Sequence, residues 1–191
     1  GGEPLLNWNT LIDIVEMSDS TLNRTVKPKY SVVTNGTLVT EDKIIFCKEH
    51  RINIGLSADG PHSITDKTRK TENGMGAYSK IIHAMELLKK HDYIPSLSVT
   101  ISEDVLRNQE TVVEWLREMH LLFGIKDISY NLLHFQGEEF DKEKYSIAAG
   151  SFIIKSYKEL GDIINDSRIN RKILSFTRST FFYGDCAAIT G

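Results

Sequence analysis

The sequence predicts an α/β chain organised on a parallel sheet. Three observations carry this. Short runs rich in Val, Ile and Thr alternate with longer stretches whose apolar residues recur at helical spacing. Each run leads through glycine or polar residues into a helical pattern, not into a second paired strand. Size and composition are those of one globular domain, with 191 residues, 40% hydrophobic and 26% charged.

The elements follow in order. Trp8, Leu11, Ile12 and Val15 share one helical face, and Pro28 closes the region after them. Residues 30–34, Tyr-Ser-Val-Val-Thr, are a first strand. Asn35-Gly36 breaks it; Asn-Gly is a strong hairpin signal, but the residues beyond do not alternate. Thr40 is placed to cap a helix, with Glu41 and Asp42 in its first turn and Ile44, Ile45 and Cys47 following. Residues 52–57 are a second strand. The polar stretch 58–76 reads as a long loop. Tyr78, Ile81, Ile82, Met85 and Leu88 mark an amphipathic helix. Ser96–Ile101 is a third strand. Asn108 is placed to cap a helix buried through Val112, Leu116, Met119 and Phe123, with Gly124 past its end. Residues 127–133 are a fourth strand, and Ile153, Tyr157, Leu160 and Ile164 form a further helical stripe. Residues 171–183 read as helical, with an irregular tail through Cys186.

Charge and composition narrow the function. A formal charge of −3 leaves no electrostatic footprint for nucleic acid. No apolar run is long enough for a membrane-spanning helix. No signal peptide is visible, so a cytoplasmic setting is expected, although the chain does not begin with Met. Cys47 and Cys186 are too few for a disulfide framework. Cys47 reads as packed core. The histidines show no metal-ligand spacing; His50 and His91 fall near helix ends, and His134 is the one to test as a pocket residue. Trp8 and Trp115 read as packing residues, and Glu138, Glu139 and Asp141 as an acidic helix start. No Ser-His-Asp set can be assembled.

Right-handed crossovers put helices on one side of a barrel or on both sides of an open doubly wound sheet. Periodicity does not choose between them. In both, chemistry belongs at the C-terminal ends of the strands. Those ends carry Thr34 and Asn35, then Ser57 and Asp59, then Thr100, then Asn131. A ring of hydroxyl, amide and carboxylate groups suits a polyhydroxylated, zwitterionic ligand. The opening Gly1-Gly2-Glu3-Pro4 adds bare backbone and a fixed negative charge. Alone, each of these segments is an ordinary turn.

As an ordered set they resemble the radical S-adenosylmethionine (radical SAM) enzymes. The set is Gly-Gly-Glu-Pro-Leu, then Thr-Asn-Gly-Thr-Leu, then Leu-Ser-Ala-Asp-Gly-Pro with Asp66 and Arg69 downstream. The narrower resemblance is to the branch with a cysteine-rich C-terminal extension, the SPASM or twitch type. Anaerobic sulfatase-maturating enzymes and peptide maturases belong there. The resemblance implies a partial (β/α) barrel with about four parallel strands over residues 1–170, and the start of the extension over 171–191. It implies that Gly1, Gly2, Glu3 and Pro4 hold the amino group of S-adenosylmethionine. Thr34, Asn35, Ser57 and Asp59 would line the same cofactor, Arg69 would approach it, and backbone from Tyr130 through Asn131 to Leu132 would flank the adenine. Ala58 stands where the family more often has Leu or Ile, which widens the wall. Cys186, followed by two alanines, resembles a ligand of an auxiliary 4Fe–4S cluster.

The implied chemistry is reductive cleavage of S-adenosylmethionine at a 4Fe–4S cluster, with a 5′-deoxyadenosyl radical modifying a peptide or protein side chain, and an electron donor as partner. The family's Cys-x-x-x-Cys-x-x-Cys run is absent from this sequence. The resemblance places that run upstream of Gly-Gly-Glu-Pro. The expectation is therefore an internal piece of a longer enzyme, inactive alone. Its opening turn would be untethered, and its strand at 30–34 would be an open edge prone to self-association. Two competing readings remain at this point: another (β/α) enzyme using Asp59 and Glu3 as acid and base, and a non-catalytic binding module.

Overall fold

The computed structural model describes residues 2–22, 28–133 and 141–161. Gly1, His134, Glu138, Glu139, the expected helix at 171–183, the extension from 171 and Cys186 lie outside these. A 3-10 turn, Pro4–Asn7, leads into helix α1, Trp8–Leu22. Strand β1, Ser31–Thr34, is followed by α2, Glu41–Glu49, and β2, Asn53–Ser57. Two helices follow, α3, His62–Thr68, and α4, Tyr78–Lys90. Then come β3, Ser96–Ile101, α5, Glu103–Arg107, and α6, Gln109–Phe123. Strand β4, Ile128–Leu132, and helix α7, Lys142–Leu160, complete the described chain.

The four strands are parallel and lie in the order β1-β2-β3-β4. Spatial order equals sequence order, so every crossover steps the same way. Crossovers of one hand then place all connecting helices on one face. This is the barrel-type arrangement, and it resolves what periodicity left open.

The two faces differ in chemistry. Val32, Ile54, Leu56, Leu97, Val99, Ile101 and Ile128 are buried on the helix side. They pack against Ile44 and Cys47 of α2, Ile81, Met85 and Leu88 of α4, Leu116 and Met119 of α6, and Phe152 and Ile153 of α7. Burial pushes the Cys47 thiol up to about 11, so it stays a protonated core residue. The other face carries small polar side chains in register: Ser57 beside Ser98, Ser98 beside Ser129, and Thr100 beside Asn131. At its β1 edge Val33 is 52% exposed.

Several local expectations need correction. The stretch 58–76 contains α3, whose seven residues bury only Ile64 and Thr65, too few to show periodicity. Thr40 occupies the N-cap position of α2 without a capping bond; its hydroxyl pairs with Asp42 instead. Asn108 likewise does not cap α6, because its amide donates to the Asp104 carbonyl at 2.7 Å. That carbonyl belongs to α5, which is itself capped by Ser102 accepting from the Val105 N–H. Gly124 does end α6, with a φ of 69°. Asp141 caps α7, accepting from the Lys144 N–H at 2.9 Å. Trp115 is a packing residue whose indole N–H donates to the Tyr78 hydroxyl at 3.1 Å.

The Asp66 carboxylate caps α4, accepting from the Tyr78 N–H at 2.7 Å, and is flanked by His62 at 3.0 Å. A Cβ at Gly76 would overlap this carboxylate. Gly76→Ala is expected to displace Asp66 and to cost about 0.5–2 kcal/mol, the usual loss on removing a helix cap. Urea denaturation measures it, and an unchanged midpoint would remove Asp66 from the role.

At the opposite end of the sheet from the strand-end turns, Asp19 of α1 joins Tyr30 at 2.7 Å and His50 at 3.1 Å. The Tyr30 hydrogen bond, then that of His50, holds the Asp19 carboxyl below its ordinary value. Such a group stabilises the fold above the unfolded chain's pKa, near 4, and that contribution is lost as pH falls through the lower folded value. Asp19→Asn should therefore make the acid-side fall in melting temperature below about pH 4 shallower. An identical acid limb in the variant would refute the clasp.

Candidate cofactor site at the strand ends

Glu3 is the first residue to place. Its carboxylate accepts from the Leu5 N–H at 3.1 Å, capping the 3-10 turn in which Pro4 needs no donor. It also accepts from the Thr34 hydroxyl at 2.6 Å and the Asn35 N–H at 2.8 Å. The turn expected to be untethered is thus bound to the end of β1 through Glu3. Gly2 is exposed, and a Cβ there would meet nothing within 4 Å. Nothing in the described fold requires a glycine at that position.

Thr34 is buried on the helix side of β1, level with Leu56. Its hydroxyl also accepts from the Gly36 N–H at 3.1 Å. The Asn35 side-chain oxygen accepts from the Thr37 N–H at 2.9 Å and hydroxyl at 2.6 Å, closing a local turn. Gly36, at φ 79°, completes it in a conformation that favours glycine. Both side chains therefore serve the turn first. Thr34 does not share a face with Ser57, and the alternation of β1 already carried that information.

The β2–β4 ends form the polar half of the site. Ser57 is partly exposed. Asn131 is exposed, and its amide donates to Ser98 at 2.7 Å. Leu132, beside it, packs against the core. Ser98 was missed as a site residue; its signal is the Ser96, Ser98, Thr100 alternation in an otherwise apolar strand. Asp59 is only 2% exposed. It accepts from Arg69 at 2.7 Å, the Thr100 N–H at 2.8 Å and the Thr68 hydroxyl at 3.0 Å. Arg69 pairs with Asp59 and not with Asp66. Its guanidinium also lies 3.3 Å from the Thr100 hydroxyl. Its Nε is buried without a hydrogen-bond partner. An unpaired buried donor costs about 1–3 kcal/mol, so an acceptor at this point is favoured.

Ser57, Ser98, Thr100, Asn131 and Arg69 thus meet on one polar rim. Glu3, Thr34 and Asn35 build the wall at β1. Among the described residues no group of three or more His, Cys, Asp or Glu side chains could hold a metal ion. No helix among them is long and apolar enough to cross a membrane. A separate groove, lined by Tyr78, Ile82, Met119 and Phe123, opens between α4 and α6, on the outer helix surface.

No family model matches the chain. It is 27% identical over 189 residues to the cysteine-type anaerobic sulfatase-maturating enzyme of Clostridium perfringens strain 13, covering 96% of this chain and 50% of that protein. It is 30% identical over 104 residues to the radical SAM cyclopropyl synthase TigE of Paramaledivibacter caminithermalis, covering 54% of this chain and 21% of that protein. The fold matches a solved structure of native anSMEcpe with bound AdoMet and Kp18Cys peptide at TM-score 0.72 and 26% identity, over 86% of this chain and 46% of that one. Parallel sheet, one-sided helices and relatives together define a radical SAM protein. The chain spans about half the length of the sulfatase-maturating relative. Within the class it is sulfatase-maturase-like.

Proposed function

We propose that this chain is the cofactor-binding part of a longer radical SAM maturase that modifies a peptide or protein side chain. Residues 1–170 form the partial barrel, and 171–191 begin the cysteine-rich extension, where Cys186 ligates an auxiliary cluster. The observation that carries the reading is the helix-free sheet face. Closed (β/α) barrels fill this side with bulky branched residues. Here it bears Ser57, Ser98, Thr100, Ser129 and Asn131 and ends at Arg69 with its unpartnered Nε. Such a surface suits a ribose and an amino-acid end group better than a packed core. The relative solved with AdoMet and a peptide supports the same ligand classes.

In this reading Ser57, Arg69 and Asn131 face S-adenosylmethionine, and the backbone of Asn131 and Leu132 flanks the adenine. Gly1, Gly2 and Pro4 form the bare turn beside the amino group. Glu3, Thr34 and Asn35 shape that turn, since protein donors already hold the Glu3 carboxylate. Cleaved reductively at a 4Fe–4S cluster, the cofactor supplies hydrogen-abstraction chemistry. The three-cysteine ligand set for that cluster is not in these 191 residues, so no step through it is assigned to them. An electron donor and a reducing, cytoplasmic setting belong to the proposal. The acid–base alternative finds no free carboxylate, because protein donors take up both Glu3 and Asp59.

In the full-length enzyme, Glu3→Ala should loosen the turn and weaken S-adenosylmethionine binding about tenfold, some 1.4 kcal/mol. Equilibrium dialysis under anaerobic conditions reads it; unchanged affinity takes Glu3 out of the site. The β1 edge, open on one side among the described residues, is proposed as a self-association surface of the 191-residue chain. Solution scattering should then show dimers or larger species as concentration rises, and a clean monomer throughout would end that idea.

A further inference from the structure

Asp59 is placed to hold another residue, not to touch a ligand. Backbone pairing between β2 and β3 continues as far as the Ala58 N–H, which donates to the Ser98 carbonyl at 3.1 Å. There β2 turns away through Gly60 and Pro61 into α3. The Thr100 N–H is taken by the Asp59 carboxylate, at 2.8 Å. The same oxygen accepts from Arg69 at 2.7 Å, and the second oxygen accepts from the Thr68 hydroxyl at 3.0 Å. The Asp59 side chain is 3% exposed, whereas that of Arg69 is 22% exposed. One buried carboxylate thus fixes a guanidinium against Thr100, on the polar face, and leaves its Nε without an acceptor.

We propose that Asp59 is a positioning residue: it orients the Arg69 guanidinium so that Arg69 donates to the carboxylate of the cofactor's amino-acid end. This rests on the cofactor reading given above. A carboxylate is the group a planar, fixed guanidinium recognises best, and S-adenosylmethionine carries one. Asp59 meets no ligand atom itself, since three protein donors occupy its oxygens.

The test compares two ligands, S-adenosylmethionine and its decarboxylated analogue, on full-length, cluster-loaded enzyme. Dissociation constants are measured anaerobically for wild type, Asp59→Asn, Arg69→Lys and Thr68→Val. The wild-type preference for the carboxylated ligand should fall about tenfold in both Asp59→Asn and Arg69→Lys. Thr68→Val, which removes one donor to Asp59 without touching Arg69, should keep it. A merely structural role for Asp59 would weaken both ligands alike and leave the preference unchanged, which would overturn the proposal. Arg69→Lys with the full wild-type preference would also overturn it, whether or not Asp59→Asn folds. Wild type that binds neither ligand would instead defeat the cofactor reading, and this proposal with it.

Discussion

At the end of every strand in this sheet, a backbone N–H has lost its ladder partner and has been given a side chain. The Asn35 N–H goes to Glu3, and the Asp59 and Gly60 N–H groups go to the Thr65 hydroxyl. The Thr100 N–H goes to Asp59, and the Leu133 N–H to the Tyr145 hydroxyl. Each acceptor comes from a segment outside the strand that it serves. A parallel sheet must solve this problem, because its strands end in crossovers and not in hairpins that pair their own ends. The side chains that solve it also decide where the turns sit. The shape of the rim is therefore a by-product of satisfying four strand ends.

This explains how much of the molecule was legible in the sequence. Long elements with repeated apolar positions were readable, because α4, α6 and β3 each bury a stripe several residues deep. The short helices α3 and α5 were not, because one or two buried residues make no period. Residue types at the strand ends pointed to the right places in the fold. Which oxygens remain available was not readable, because that depends on pairings distant in sequence. Glu3 reaches Thr34, and Asp59 takes Thr100 and Arg69, with Asp66 turned to α4 instead. The side chain of Thr34 was an avoidable error, since strand alternation sets it level with Val32, away from the polar face.

The same geometry separates two kinds of group at the site. Glu3, Thr34, Asn35 and Asp59 are the charged and polar residues most conspicuous in the sequence, yet each has its bonds filled by the protein. Ser57, Arg69 and Asn131 are less conspicuous and keep exposed or unpaired atoms. The first set builds a frame, and the second set stands where a ligand can be met. Tyr145 extends the frame from α7, since its hydroxyl donates to the Ile101 carbonyl at 2.6 Å while accepting from Leu133.

The division of the sheet into an apolar and a polar face has a consequence for how such a chain can diverge. Packing energy resides almost wholly on the helix side, in residues such as Leu56, Leu97 and Ile101. The small side chains opposite contribute little to it. Substitutions at Ser98, Ser129 or Asn131 can therefore alter what the face accepts while leaving the fold's stability nearly untouched. Stability and selectivity are inherited on opposite sides of one sheet, so selection can revise the second without reopening the first.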